Sequence, residues 1–147
     1  DDVRALAIDQ DTTIWFSTPV GVFRYQPWAW LETAGAYDGL SVNDVLYDRS
    51  GVLWVATNGE GVQRRRSLYA NVETFYPYDT DLPSENVADL EEDPAGRIWA
   101  ATPAGLAVYA DGAWSAPIDP VRLPASQVTA IKAGAQTGSR QFGGDQT

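Results

Sequence analysis

The chain has 147 residues and a net charge of −10, from 20 acidic and 10 basic side chains. Such a surface repels a polyanion, so nucleic acid is excluded as an expected partner. Histidine and cysteine are both absent, which excludes Ser-His-Asp and Cys-His catalysis, disulfide bonds and thiolate metal sites. No apolar run reaches the roughly 18 residues of a membrane-spanning helix, so direct membrane insertion is not expected either.

The first predicted element in chain order is a short apolar strand near residues 3–8, which opens a pattern that recurs twice. In each copy an Asp follows the apolar segment, a Trp comes six residues after the Asp, and a Thr comes three residues after the Trp. The copies are Asp9, Trp15 and Thr18; Asp48, Trp54 and Thr57; and Asp93, Trp99 and Thr102. A fixed internal spacing of this kind indicates stacked supersecondary units.

Each unit is predicted to contain four short strands. An Asp and a following turn join the first two strands, at residues 9–13, 48–51 and 93–96. The second strand is rich in β-branched and aromatic residues, and a turn after the Thr leads into the third strand. More variable segments at residues 28–31, 73–76 and 113–115 are predicted to form the outer strand. No apolar stripe has helical period, so the pattern favours an all-β propeller.

The predicted propeller segment covers residues 1–133 and contains three complete blades of four antiparallel strands, plus the first strand of a fourth. The blades are assigned to residues 2–36, 41–80 and 85–120, and the fourth begins at 126–133. A Gly/Gln/Thr-rich tail follows at residues 134–147. Closed propellers use about four to eight blades, so the expected partners are the remaining blades of a longer chain or identical subunits associated head to tail. The tail carries no blade motif, which favours the longer chain.

The motif Asp-x-x-Gly-x-[Leu/Ile]-Trp-x-x-Thr-x-x-Gly-[Leu/Val] occurs at residues 93–106 and, with one extra loop residue, at residues 48–62. Together with the linker Asp-Leu-Pro-Ser-Glu-Asn-Val at residues 81–87, it resembles the two-component regulator propeller repeat. The resemblance implies the periplasmic propeller portion of a membrane-anchored regulator, in a family associated with recognising glycan breakdown products. An extracytoplasmic location, periplasmic or secreted, and an oligosaccharide ligand are therefore expected. The first copy departs from the motif, with Thr12 where Gly is expected.

The repeated residues are interpreted as architecture, because a residue that recurs once per blade serves what every blade shares. The repeated Asp is expected to accept hydrogen bonds from turn amides, and the repeated Trp to lie in the core. No carboxylate cluster has the order of a calcium loop, so no metal and no cofactor are expected. The basic run Arg64, Arg65 and Arg66 is interpreted as a solvated outer strand, with an anion-docking or partner-docking patch as the alternative.

Binding specificity is expected where the copies differ, in the loops between the second and third strands and in the loops that enter the innermost strands. The loops include residues 19–20, 58–60 and 103–104, and residues 37–40, 79–86 and 122–127. The candidate ligand-binding residues are Arg4, Asn43, Asn58, Glu60 and Asn86. No catalytic residue is predicted.

The sequence thus predicts a non-catalytic binding or sensing module with a glycan-type signal, and no enzyme. The alternative is a structural or self-assembling propeller segment that acts through protein–protein contacts. A third hypothesis is a carbohydrate-active enzyme that uses paired carboxylates, for which Asp79 with Asp81 and Asp9 with Asp11 are examples.

Overall fold

Twelve strands form three antiparallel four-stranded sheets in the described part of the chain. The computed structural model describes residues 2–26, 32–33, 39–66, 70–117 and 129–134. Within each sheet the strands follow one another in chain order, as in a propeller blade. The predicted all-β propeller architecture, with three four-stranded blades, is confirmed.

The strands of the three blades are as follows. Blade 1 contains β1 (Ala5–Ile8), β2 (Ile14–Thr18), β3 (Gly21–Tyr25) and β4 (Glu32–Thr33). Blade 2 contains β5 (Val42–Tyr47), β6 (Leu53–Thr57), β7 (Val62–Arg65) and β8 (Glu73–Phe75). Blade 3 contains β9 (Asp89–Glu92), β10 (Ile98–Thr102), β11 (Gly105–Ala110) and β12 (Ala113–Ser115). The outer strand predicted at residues 28–31 falls outside the described residues.

The repeated Asp organises the first hairpin of every blade. In blade 2, Asp48 Oδ1 accepts the amides of Ser50 at 2.9 Å and Val52 at 3.0 Å. Asp48 Oδ2 accepts the indole N–H of Trp54 at 2.7 Å. Asp9 and Asp93 make the same three types of contact. The predicted amide capping is confirmed, whereas the bond to the indole N–H was not predicted and explains the six-residue spacing between Asp and Trp.

The turn of the first hairpin needs a left-handed residue in each blade. Gly51 has a φ of 85° and Gly96 a φ of 82°, a region that glycine occupies at little cost. Thr12 takes the same place in blade 1 with a φ of 62°. A β-branched residue at positive φ is strained, so the departure of the first copy from the motif carries a conformational cost.

The repeated Thr closes the second hairpin. Thr57 Oγ1 accepts the amide of Glu60 at 2.9 Å and donates to the carbonyl of Gly61 at 2.8 Å. Thr102 Oγ1 makes the equivalent pair of bonds with Ala104 and Gly105. Because the hydroxyl serves as donor and acceptor at once, the turn satisfies its own polar groups.

Blades stack through the face that carries the repeated Trp. Trp15 is 5% exposed and belongs to a core cluster with Val42, Val45, Leu53 and Val55 of blade 2. Trp54 is 2% exposed and belongs to a second cluster with residues of blade 3, among them Leu90, Ile98, Ala100 and Trp114. The predicted core role of these two Trp side chains is confirmed.

Arg64 lies inside the interface between blades 2 and 3. It is on β7, which pairs with β6 on one side and with β8 on the other, so β7 is not the outer strand. Its guanidinium lies 5.1 Å from the centroid of the Tyr109 ring, donates to Tyr109 Oη at 2.7 Å and pairs with Glu73 at 2.8 Å. The interpretation of Arg64 as part of a solvated outer strand is therefore wrong. The guanidinium packs on aromatic ring faces and also forms an ion pair, so it is covered by protein.

Residues 129–134 lie beside β9, where a further inner strand would stand. Ile131 N donates to Asp89 Oδ2 at 2.8 Å, and Ala133 N donates to Glu91 Oε1 at 3.3 Å. The segment has no strand pairing of its own in the described residues. Residues 126–128 of the predicted fourth blade, and the tail from residue 135 onward, fall outside the described residues.

Candidate functional site

Arg4 and Asn43 connect the beginnings of the three innermost strands. Arg4 Nη1 donates to Ser41 Oγ, to the carbonyl of Val42 and to Asn43 Oδ1, each at 3.3 Å. Asn43 Nδ2 donates to the carbonyl of Val87 at 2.8 Å. Two of the five candidate binding residues are therefore also links between successive blades.

Asn58 and Asn86 meet across the same edge through main-chain groups. They form an isolated antiparallel bridge, in which the amide of Val87 donates to the carbonyl of Thr57 at 2.9 Å. The amide of Asn58 donates to the carbonyl of Ser41 at 2.8 Å. Since Ser41 also accepts from Arg4, this bond connects the bridge to Arg4. Both Asn residues are exposed, so their carboxamides are left to solvent or a ligand.

The side-chain hydrogen bond of Glu60 is to a residue outside the other four candidates. Its carboxylate accepts the hydroxyl of Tyr76 at 3.0 Å, and this hydrogen bond is the main reason that the pKa of Tyr76 is raised. Arg4, Asn43, Asn58 and Asn86 converge around Ser41 and form what we call the polar edge. The structure thus brings four of the five candidates together, while their binding of a ligand stays a prediction. Residues 37–38 and 122–127 of the predicted loops fall outside the described residues.

A pair of carboxyl groups between blades 2 and 3 was missed by the sequence reasoning. The amide of Leu90 donates both to Asp44 Oδ2 at 2.9 Å and to Asp89 Oδ1 at 3.1 Å, which places the two side chains together. Burial, and then a hydrogen bond with Asp89, raise the pKa of Asp44 to about 8. Asp44 and Asp89 occupy the same position of successive copies, where blade 1 has Ala5, and this recurrence was the available signal.

All four carboxyl oxygens of this pair accept main-chain amides. Asp44 Oδ1 accepts from Val45 at 2.9 Å, and Asp89 Oδ2 accepts from Ile131 at 2.8 Å, in addition to the two bonds from Leu90. A carboxyl beside a carboxylate can share a proton, as in acid–base sites. Here every oxygen is already engaged by backbone, so the arrangement fits the joining of neighbouring inner strands.

The described residues contain neither a metal-binding cluster nor a membrane-spanning helix. They contain no group of three or more acidic side chains placed to hold a metal ion. Across the same stretches, no helix has the length and apolar character needed to span a bilayer.

Two segments of the sequence, residues 37–59 and 81–104, match the two-component regulator propeller family. They contain the hairpin that carries Asp48 and Trp54 and the one that carries Asp93 and Trp99. The recognition made from the motif is confirmed for these repeats. No curated protein sequence matches the chain.

Solved propellers share the fold. The extracellular domain of the hybrid two-component system BT3049 from B. thetaiotaomicron is 25% identical, with a TM-score of 0.71 over 89% of this chain. The extracellular domain of BT4673 from the same organism is 21% identical, with a TM-score of 0.66 over 88% of this chain. The chain spans only 18% of the length of either domain. A catalytically inactive virginiamycin B lyase from Staphylococcus aureus, 13% identical, also matches 77% of the chain with a TM-score of 0.61 and shares the fold alone.

Proposed function

We propose that this chain, whose second and third blades carry two-component regulator propeller repeats, is a non-catalytic sensing segment of an extracytoplasmic propeller. The observation that carries the proposal is the polar edge, where four residues that differ between the copies are linked near Ser41, Arg4 and Asn43 through their side chains and Asn58 and Asn86 through main-chain groups. Side chains that vary on a repeated scaffold are where binding specificity resides. The solved extracellular domains with the same fold support the location.

The proposed ligand is a glycan-type signal. The exposed carboxamides of Asn58 and Asn86 offer donors and acceptors, and the guanidinium of Arg4 offers donors, all suited to hydroxyl groups. Because Arg4 and Asn43 already join three inner strands, a ligand at the polar edge would contact more than one blade. Ligand binding would then be coupled to the packing of the blades, as a sensor requires.

Further blades of the same repeat, on a longer chain or on an identical subunit, are the proposed partners. Leu6 and Ile8 of blade 1 are 64% and 66% exposed. Val45 and Leu90, the counterparts of Leu6 in blades 2 and 3, are 3% and 2% exposed because the preceding blade covers them. The exposed face of blade 1 therefore carries apolar side chains at a position that a preceding blade covers in blades 2 and 3.

A calorimetric titration tests the sensing proposal. We expect a panel of neutral oligosaccharides to contain one that binds. Asn86→Ala should weaken the binding of that oligosaccharide about tenfold, because the hydrogen bonds of the Asn86 carboxamide to the ligand are lost. Asn71→Ala, which removes another exposed carboxamide away from the polar edge, is the matched control and should bind normally. Absence of any binding, or equal losses in the two variants, would contradict the proposal.

The carbohydrate-active enzyme remains the competing hypothesis, and turnover distinguishes it. We expect no release of sugar products from the same panel above a buffer control, because the carboxyl oxygens of the Asp44–Asp89 pair are engaged by amides. Product release that disappears on replacing Asp44, Asp9 or Asp79 with Asn would establish catalysis and overturn the non-catalytic proposal.

A further inference from the structure

Tyr76 and Tyr78 form an exposed aromatic pair in the segment that follows β8. Their ring centroids lie 4.9 Å apart with an angle of 14° between the planes, so the two rings are stacked. Tyr78 is 80% exposed, more than any other large apolar side chain among the described residues. Tyr76 covers part of one face of the Tyr78 ring, and the opposite face is open to a partner.

Hydrogen bonds hold this aromatic pair in place. The Tyr76 hydroxyl donates to Glu60 Oε2 at 3.0 Å. The Tyr76 carbonyl accepts the amide of Thr80 at 3.1 Å and its hydroxyl at 2.6 Å, and Asp79 Oδ1 accepts the amide of Tyr76 at 3.2 Å. The two rings are thus positioned before any partner arrives, which reduces the entropy lost on binding.

The surroundings of the aromatic pair carry negative charge without a matching cation. No Lys or Arg occurs in residues 67–96. Glu60 and Asp79 are exposed and form no ion pair within the described residues, whereas Glu73 on β8 pairs with Arg64 at 2.8 Å. The face of an aromatic ring also attracts cations. Ring face and charge therefore both favour a positively charged partner and disfavour an anion.

Arg64 shows, inside the same fold, how a ring and a carboxylate hold a guanidinium together. Its guanidinium carbon lies 5.1 Å from the centroid of the Tyr109 ring, and its Nη2 pairs with Glu73 at 2.8 Å. A planar guanidinium stacks on a ring with its face and donates to a carboxylate with its edge. At the surface, Tyr78 and Glu60 supply the ring and the carboxylate of this arrangement, and no described residue supplies the guanidinium.

We propose that the Tyr76–Tyr78 pair docks an Arg side chain from an extended basic segment of another protein. The guanidinium stacks on the open face of Tyr78 and donates to Glu60 Oε1 or Asp79 Oδ2, neither of which has a hydrogen bond within the described part of the chain. A Lys ammonium has no planar face to stack, so it binds more weakly. This protein-docking site goes beyond the proposed sensing of a glycan, and it uses Glu60 outside the polar edge.

Proton–nitrogen correlation spectra of the full chain test the docking site, with the backbone amide signals of Tyr76, Asp79 and Thr80 as reporters. The probes are three capped peptides of Gly and Ser around one central residue, which is arginine, lysine or citrulline, the uncharged isostere of arginine. Methyl glucoside serves as a neutral sugar for comparison. We expect a saturable shift of the reporter signals with the arginine peptide, a weaker response to the lysine peptide, and none to the citrulline peptide or the glucoside.

The variant Tyr78→Leu should weaken binding of the arginine peptide about tenfold, because the ring face that attracts the cation is lost. Tyr25→Leu, which removes another exposed Tyr ring on blade 1, is the matched control and should leave the affinity unchanged. Equal losses in the two variants, equal binding of the arginine and citrulline peptides, or no response to the arginine peptide would each overturn the docking site. Lysine binding as tight as arginine binding would overturn the stacked guanidinium, and a response confined to methyl glucoside would assign the ring pair to a sugar instead.

Discussion

At the scale of the single residue, one carboxylate per blade both caps a turn and binds a Trp indole. Each of Asp9, Asp48 and Asp93 gives one oxygen to the turn amides and the other to the Trp indole across the hairpin. Burial alone would raise the pKa of Asp93. The bonds from the Trp99 indole and from the Arg97 amide and guanidinium outweigh it and lower the pKa to about 2. The ionised form is therefore part of the folded structure.

Replacing Asp48 with Ala should lower the free energy of unfolding by about 2 to 4 kcal/mol, because buried donors of Trp54 and the turn lose their acceptor. Urea denaturation measures this change. Asp11→Ala, at an exposed position of the same kind of turn in blade 1, should stay within about 0.5 kcal/mol of the parent. A loss for Asp48→Ala as small as that of the control would show that the Asp–Trp bond contributes nothing.

Thr12→Gly should have the opposite effect. Thr12 has a φ of 62°, and Gly removes the clash of a β-branched side chain in the left-handed region. We expect a gain of about 0.5 to 1 kcal/mol in the free energy of unfolding, after the greater chain entropy of Gly in the unfolded state is counted. Thr13→Gly, one position on and outside the left-handed region, should destabilise instead. A destabilised Thr12→Gly variant would contradict the strain.

At the scale of the structural element, adjacent inner strands are joined by hydrogen bonds between side chains and main-chain amides. Asp44 of β5 accepts from Leu90 of β9, and Asp89 accepts from Ile131 in the segment beside β9. Blade 1 has Ala5 at that position, and Arg4 makes the link to Val42 and Asn43 instead. Neighbouring inner strands are thus connected by an Asp carboxyl group after blades 2 and 3 and by the Arg4 guanidinium after blade 1.

The Asp44–Asp89 pair predicts that stability falls as pH rises from about 4 to about 8. With its pKa raised to about 8, Asp44 keeps its proton in the folded chain up to about pH 8, while the unfolded chain releases it near the ordinary Asp pKa of 3.8. Because the folded state binds more protons in this window, the free energy of unfolding declines by at most about 1.4 kcal/mol per pH unit.

Urea midpoints between pH 4 and pH 8 measure this slope, and Asp44→Asn should flatten it because Asn does not titrate. Below about pH 4 the trend should reverse, since the stability from Asp93 is lost as pH falls from its unfolded value of 3.8 toward about 2. A parent protein whose midpoint is unchanged or rises between pH 5 and pH 8, with the same profile in Asp44→Asn, would refute the shared proton.

The faces of successive blades are complementary at the scale of the whole molecule. The Trp face of one blade packs on the inner-strand face of the next, as Trp15 packs near Val45 and Trp54 near Leu90. Leu6 and Ile8 on blade 1 have no such cover among the described residues. Exposed apolar groups on a flat sheet face favour association with another blade.

The 147-residue chain should therefore associate in a concentration-dependent way, which sedimentation velocity and native mass spectrometry measure. The double variant Leu6→Ser/Ile8→Ser should be monomeric and still folded, because both side chains are already exposed. Val20→Ser, at a loop residue that is 63% exposed, is the control and should associate like the parent. A folded parent that stays monomeric at all concentrations, with high amide protection in β1, would overturn this prediction.

The sequence alone predicted the repeat, the four-stranded blade and the turns, because strand period and turn chemistry act over a few neighbouring residues. It also predicted that the repeated Asp caps a turn, since the amides it binds lie two and four positions away. The residues of the polar edge were selected from the sequence because variable residues at strand entrances carry specificity, and their role in binding stays a prediction. The solvated interpretation of Arg64 was wrong because the rings that cover it come partly from another blade.

Tertiary structure decided whatever depends on the neighbour of a blade. Leu6, Val45 and Leu90 hold one repeat position, yet the first is 64% exposed and the others at most 3%, because within the described residues a preceding blade packs against the latter two and none packs against Leu6. The meeting of Asp44 with Asp89, and of the turn after β8 with Trp114, joins residues far apart in sequence. Local pattern sets what each blade is, whereas contact between blades sets which side chains are buried, which carboxyl groups meet and which side chains stay exposed.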